Sequence, residues 1–328
     1  MSQRRASDLL LTAGSPAVFR IDGVLTPAGE PLSGDDIDDL VSSVLSSRSR
    51  QQLTEEGSAD FSLRLSSVRF RINVHRQRGT LAAAVRSLPS EIPTLAQLNL
   101  PPSLAELVKP SRGLVLMCGP TGAGKTTTLA ALIGEINRNE ARHIITIEDP
   151  IEYEHRNIRS IIEQVEVGSD TPAFASALRA SLRQDPDVIL VGEMRDLETI
   201  STAITAAETG HLILSTLHTS DAAHAIHRIV DVFPPAQQAQ VRQQLSLALN
   251  AIVVQHLIPL SRGKGRAVAV EVLLANTAIR NHIRNDKLQN LATELTLGKR
   301  AGMISLEDSL EALVQQGMIS AEEAKARL

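Results

Sequence analysis

The sequence predicts an α/β protein built on a mostly parallel sheet, with a smaller α+β domain ahead of it. Three observations carry this. Residues 119–126 read Gly-Pro-Thr-Gly-Ala-Gly-Lys-Thr, a full match to G-x-x-x-x-G-K-[ST], between an apolar run and a helical run. From residue 113 onward, short apolar runs alternate with amphipathic stretches, the pattern of a parallel sheet covered on both faces. Between residues 89 and 112 stand five prolines, Pro89, Pro93, Pro101, Pro102 and Pro110, which read as a break between two domains.

The expected organisation is a first domain over 1–88, a Pro-rich linker over 89–112 and a second domain over 113–328. In the first domain, residues 9–11, 17–21 and 61–74 carry strand patterns, with turns at Gly23, Gly29 and Gly34. Residues 35–47 predict one helix, because Ile37, Leu40, Val41, Val44 and Leu45 recur at helical spacing. A short helix is expected around 104–108. In the second domain, strands are expected at 113–118, 143–148, 187–192 and 211–216. Helices are expected at 124–138, 171–184, 196–209 and 219–230. Beyond residue 235 helices predominate, at 241–252, 277–286, 305–315 and 320–328, with a last strand at 271–274. The Val188-Ile189-Leu190-Val191 run is continuously apolar, as suits the centre of a parallel sheet.

Composition narrows the function. Hydrophobic residues make up 43% of 328, which suffices for packed cores, and the chain has no Trp and one Tyr. So few aromatics argue against base-stacking platforms, and a net charge of −4 argues against a general nucleic-acid binder. The one cysteine, Cys118, forms no internal disulfide and reads as a buried thiol. Arg4 and Arg5 precede only the short apolar run 9–11, so no signal peptide is expected. No run approaches the length of a membrane span, so a cytoplasmic protein is expected.

Strand, glycine loop and helix N-terminus together make a phosphate site. Backbone N–H groups of Gly119, Pro120's neighbours Thr121, Gly122 and Ala123, and Gly124 point inward, and the helix dipole adds positive charge. Lys125 reaches the β- and γ-phosphates, Thr126 joins a Mg²⁺ shell, and Thr127 completes the first helical turn. The expected ligands are therefore ATP and Mg²⁺. Hydrolysis needs further groups. Glu193 ends the apolar strand run at 187–192, where the strand C-termini of a parallel sheet meet ligand. Glu148, Asp149 and Glu152 cluster after a second strand, and position alone does not choose among them. His211 and His218 flank a third strand, where an imidazole can sense the γ-phosphate. Arg64, Arg69, Arg71, Arg76, Arg78 and Arg86 crowd the end of the first domain. Period-2 alternation puts Arg69 and Arg71 on one sheet face, opposite Phe70 and Ile72.

These strings resemble the secretion ATPase superfamily, most closely the PilT-type retraction ATPases of type IV pili. Thr146-Ile147-Glu148-Asp149-Pro150-Ile151-Glu152 is similar to the family's Asp box. Val191-Gly192-Glu193-Met194-Arg195-Asp196 is similar to its Walker B, with Glu in place of Asp. Residues 207–211 through 217–219 are similar to its His box. The resemblance implies a RecA-like motor domain with a PAS-like first domain, assembled as a homo-hexamer that works on an inner-membrane pilus platform protein. It implies Glu152 as the catalytic base and Glu193 in the Walker B role. It makes His211 and His218 a pair linking nucleotide state to movement, and Arg69, Arg71 and Arg86 arginines supplied to a neighbour's nucleotide. Ala278-Ile279-Arg280-Asn281-His282-Ile283-Arg284 resembles the A-I-R-N-L-I-R motif of retraction motors, with His282 in place of Leu. Assembly and type II secretion relatives usually carry an extra N-terminal domain and a tetracysteine site. This chain shows neither, so the expectation is retraction and twitching motility.

Overall fold

Alternation along Arg69-Phe70-Arg71-Ile72-Asn73-Val74 becomes a strand with one dry face. The computed structural model describes every residue except 2, 3, 5, 22, 67, 264 and 328, and it divides into two units, Met1–Glu91 and Ile92–Leu328. The first unit holds β1 (Asp8–Thr12), β2 (Ala17–Ile21), β3 (Val24–Ala28), α1 (Gly34–Ser42), α2 (Ser47–Glu56), β4 (Ser58–Leu65), β5 (Val68–Gln77) and β6 (Thr80–Ser87). Its antiparallel sheet runs β3-β2-β1-β6-β5-β4. Phe70, Ile72 and Val74 are buried with Ile37 and Val41 of α1 and Leu53 of α2, which gives a PAS-like α+β domain.

Two expectations are corrected here. The run 61–74 is two strands, because Ser66 takes φ 57° and turns the chain between β4 and β5. The helix expected over 35–47 ends at Ser42, and a second helix begins at Ser47. Ser33 and Asp36 form a capping box that starts α1, and Ser46 accepts from Ser49 N at 3.1 Å to start α2 afresh. Strand β6 follows a tight turn at Arg78 and Gly79, both at positive φ, the geometry that matches hairpin twist.

The second unit contains β7 (Gly113–Cys118), α3 (Lys125–Asn139), β8 (His143–Glu148), β9 (Ile161–Glu166), α4 (Phe174–Ser181), β10 (Val188–Val191), α5 (Leu197–Thr209) and β11 (Leu212–Leu217). It continues with α6 (Ala222–Asp231), α7 (Pro235–Ala248), β12 (Leu249–Pro259), β13 (Arg266–Leu274), α8 (Thr277–Arg284), α9 (Leu291–Leu297), α10 (Leu306–Gln315) and α11 (Ala321–Lys325). The sheet order is β13-β12-β7-β11-β10-β8-β9, parallel throughout except for β13. Strand residues alternate between two cores. Leu114, Leu116 and Cys118 pack with α4 to α8, while Val115 and Met117 pack with Leu129, Leu132 and Ile136 of α3. This is a RecA-like sheet with helices on both faces. Among the described residues, no helix is long and apolar enough to cross a membrane.

The segment 89–112 is mostly not a linker. Leu95, Leu100, Leu104, Leu107 and Val108 are buried in the second unit's core, the last three in a 3₁₀ stretch, Pro102–Val108. Leu88 N donates to Arg69 O at 2.8 Å within the first unit, and the boundary between the units falls between Glu91 and Ile92. Apolar spacing between the prolines, not proline itself, decided where this stretch packs. The helix expected at 241–252 is α7, which ends at Ala248. Leu249 to Val254 form a strand beside β7, because every residue of this run but Asn250 is apolar and buried, and pairing with the central sheet overrides helical spacing. Helix α4 is shorter than 171–184, starting after Pro172, and α6 starts later than expected, at its N-cap Asp221. The helix expected at 320–328 is α11, and Leu328 lies outside the described residues.

One glycine is required by close approach. Gly119 has φ 140°, and an added Cβ would lie 2.4 Å from Gln255 O, a backbone atom that cannot step aside. Gly119→Ala is expected to destabilise the second unit by about 3 kcal/mol, combining overpacking and left-handed strain. Urea unfolding against wild type checks this.

Candidate active site

The phosphate loop follows from β7 ending in glycines. Gly122 and Gly124 take φ 78° and 86°, conformations that L side chains resist, and they fold the chain back onto α3. Gly124 caps α3 without a side chain, so the first-turn amides stay available to an anion. Lys125 is buried, and its Nζ donates to Gly119 O at 2.8 Å and Pro120 O at 3.0 Å. Burial holds its pKa below the ordinary lysine value, with Glu193 opposing that shift.

A brace that the sequence did not reveal supports the loop from β12. Gln255 Nε2 donates to Ala123 O at 2.6 Å, and its Oε1 accepts from Thr128 Oγ1 at 2.8 Å. Only the pairing of β12 with β7 brings residue 255 there, so no local signal could have found it. Thr127 Oγ1 meets Tyr153 OH at 3.0 Å.

Glu193 stands just past β10, on the edge where the phosphate loop leaves β7. Thr216 Oγ1 donates to Gly192 O at 2.6 Å and Ser215 Oγ to Val191 O at 2.7 Å, which fixes that strand end. The Glu193 carboxylate pairs with Arg195 at 2.8 Å and lies 3.9 Å from His218 Nε2. Burial lowers the His218 pKa, and the positive charges of Lys125, Arg195 and Arg228 lower it further. The lowered pKa favours the neutral imidazole, whose N–H can donate to a phosphate oxygen. Beside it opens a groove of about 970 Å³ lined by Pro120, His218, His227, Arg228 and His256 among others.

His211 does not join this site. It precedes β11 at the opposite edge of the sheet, where its Nδ1 lies 3.2 Å from Ala206 O at the end of α5. The intervening strand separates it from His218 by roughly 20 Å, at about 3.3 Å per residue. Two histidines flanking one strand cannot both face the same phosphates.

The acidic cluster is differentiated by burial. Glu148 ends β8, buried, with Oε1 accepting from Thr146 Oγ1 at 2.8 Å and Gln164 Nε2 at 3.3 Å. Burial pushes its pKa from 4.5 up to about 7, and the nearby Glu152 carboxylate adds to the rise. Because the folded value lies above the unfolded one, the contribution to stability is complete below pH 4.5 and is lost as pH rises through about 7. Between pH 4.5 and 8, wild type is expected to lose about 3 kcal/mol more stability than Glu148→Gln. Urea unfolding of both proteins across that range measures the difference. Glu152 follows on the half-buried loop after β8, next to Glu148.

In the first unit, Arg69, Arg71 and Arg86 share the polar sheet face. Each has a partner: Ser62 at 2.9 Å for Arg69, Asp60 at 2.8 Å for Arg71 and Asp8 at 2.8 Å for Arg86. Arg71 and Arg86 stand directly opposite in the β5–β6 register. The aspartates that hold them were not singled out by the sequence, because they lie on β4 and β1 and meet the arginines only through strand pairing.

Among the described residues no His, Cys, Asp and Glu group forms a protein-only metal cage. The donor set does fit Mg²⁺, which keeps waters and takes few protein oxygens beside phosphates. Thr126, in the first turn of α3, and Glu193 are hard oxygen donors, and Glu193 lies close enough to Lys125 to act on its charge.

Sheet order, glycine loop, buried lysine and strand-end acid define a RecA-like P-loop NTPase. The chain belongs to the family described as Type II/IV secretion system protein, which matches residues 4–326. It is 43% identical to the Type IV pilus retractation ATPase PilT of Pseudomonas aeruginosa PAO1, over 99% of this chain and 95% of that one. It is 42% identical to a twitching motility protein of Neisseria gonorrhoeae, over 100% of this chain and 90% of that one. A crystal structure of the pilus retraction motor PilT with bound ADP superposes with a TM-score of 0.93 at 49% identity, covering 100% of this chain and 94% of that one.

Proposed function

We propose that this chain is the ATP-hydrolysing motor that retracts type IV pili and so powers twitching motility. The observation that carries this reading is end-to-end likeness to retraction ATPases, together with Lys125, Glu193 and His218 converging on one sheet edge. In this reading the chain works in the cytoplasm as a homo-hexamer, against an inner-membrane platform protein, and binds no nucleic acid.

ATP seats its phosphates on residues 119–127. Lys125 exchanges the Gly119 and Pro120 carbonyls for phosphate oxygens. Thr126 and Glu193 would hold Mg²⁺, which would supply positive charge beside the phosphates. Glu152 orients the attacking water and accepts its proton as the γ-phosphoryl group is cleaved. Neutral His218 donates to the γ-phosphate, and loss of that group returns it to Glu193. Arg69, Arg71 and Arg86 are supplied to the nucleotide of a neighbouring copy, after release from Ser62, Asp60 and Asp8. The first unit then rotates about the chain near the boundary between residues 91 and 92.

The test is a strain carrying Lys125→Ala. A retraction motor leaves surplus surface pili and no twitching. Loss of surface pili would instead mark an assembly motor and overturn the reading.

A further inference from the structure

Glu152 is carried on an irregular loop, yet hydrolysis requires its carboxylate to be held within about half an ångström of a productive position. Side chains of the neighbouring strands restrain the loop backbone at several points. Gln164, on the edge strand β9, accepts from His155 N with Oε1 at 2.8 Å and donates from Nε2 to Tyr153 O at 2.9 Å. One amide thereby bonds two backbone groups of the loop, in the way a strand partner would. The same Nε2 reaches Glu148 Oε1 at 3.3 Å, and Glu148 in turn takes the backbone N–H of Glu152. Glu166 Oε2 accepts from Ile151 N at 3.1 Å. The backbone is therefore gripped at 151, 152, 153 and 155, on both sides of the base. Tyr153 also ties the loop to Thr127, just behind the phosphate loop.

We propose that Gln164 is the positioning residue for the water-activating carboxylate: its side-chain amide clamps Tyr153 and His155 and so sets where Glu152 stands relative to the γ-phosphate. This rests on Glu152 being the base. The Gln164 amide bonds Tyr153, His155 and Glu148 directly and reaches residues 119–127 through Tyr153 and Thr127, so its loss slows the chemical step far more than it weakens nucleotide binding. Its geometry asks for both ends of the amide. A shorter side chain does not span the two backbone groups, and a carboxylate keeps the acceptor for His155 N but loses the donor for Tyr153 O while adding a charge beside Glu148.

The experiment compares Gln164→Ala, Gln164→Glu, Glu152→Gln and the Gln164→Ala/Glu152→Gln double variant, all in the full assembled chain. Expected for Gln164→Ala is a fall in kcat of about 30-fold, as for a misplaced catalytic group, with the Kd for ADP within about two-fold of wild type. Gln164→Glu is expected to be at least as slow, with an unchanged circular-dichroism spectrum. The double variant is expected to be no slower than Glu152→Gln alone, since a residue acting through the base has nothing left to position. The single tyrosine and absence of tryptophan make Tyr153 emission a local reporter, and its response to ADP is expected to change in Gln164→Ala. A Gln164→Ala protein with wild-type kcat, or one whose ADP affinity falls in step with kcat, overturns the role of Gln164. With Glu152→Gln slow, either result leaves the base assignment standing. A Glu152→Gln protein as fast as wild type overturns both.

Discussion

Glu152→Gln is expected to lower kcat for ATP hydrolysis by about 10²–10⁴-fold, the usual contribution of a positioned base, with ADP affinity within about two-fold of wild type. The substitution keeps size and shape and removes the negative charge and the capacity to take a proton. Its neighbour Glu148 does not substitute for it. Glu148 is 8% exposed and is committed to Thr146, Gln164 and the Glu152 N–H, whereas Glu152 sits on the more accessible loop. Removing the Glu152 charge also relieves its repulsion of Glu148, so the Glu148 pKa is expected to fall in this variant. Steady-state hydrolysis beside ADP titration measures the first effect. A Glu152→Gln protein with wild-type turnover would transfer the base role elsewhere.

Lys125→Ala is expected to weaken nucleotide binding by about 100-fold, corresponding to about 3 kcal/mol for a charged hydrogen bond to phosphate. Without ligand, Lys125 bonds the Gly119 and Pro120 carbonyls, so it also shapes the loop before nucleotide arrives. Removing it leaves those carbonyls without their donor, and the unliganded protein is expected to lose about 1 kcal/mol of stability. The rise in Tm that ADP produces in wild type should disappear. Calorimetric titration and thermal unfolding with and without ADP read both effects. An undiminished ADP-dependent Tm shift would remove Lys125 from the phosphate site.

Much of the site was legible because its chemistry is local. The residues from Gly119 to Thr127 are contiguous, and a glycine pattern between an apolar strand and a helix has one structural meaning. Glu193 was legible for a related reason: an acid just after a four-residue apolar strand reaches the ligand edge of any parallel sheet. The arginines were legible as a face, because period-2 alternation survives in β5. Glu152 was separated from Glu148 and Asp149 only by resemblance. Glu148 is set apart by its burial and its ties to Thr146 and Gln164, and the assignment of the base to Glu152 is part of the proposed function.

What escaped sequence reading has a common cause. The strand β12, the brace by Gln255, the partners Asp8 and Asp60 and the clamp by Gln164 all depend on which strands become neighbours. That is settled by packing of segments far apart in the chain. The two histidines show the distinction most plainly. Their spacing around a strand was visible, but a strand has two ends, and only parallel pairing with β7 put His218 beside the phosphate loop and His211 at the far edge. Local covalent order sufficed for the chemistry of phosphate binding and for the class of sheet. The choice among chemically equal side chains came from long-range pairing, because distance to the nucleotide is a property of the folded sheet and not of residue spacing.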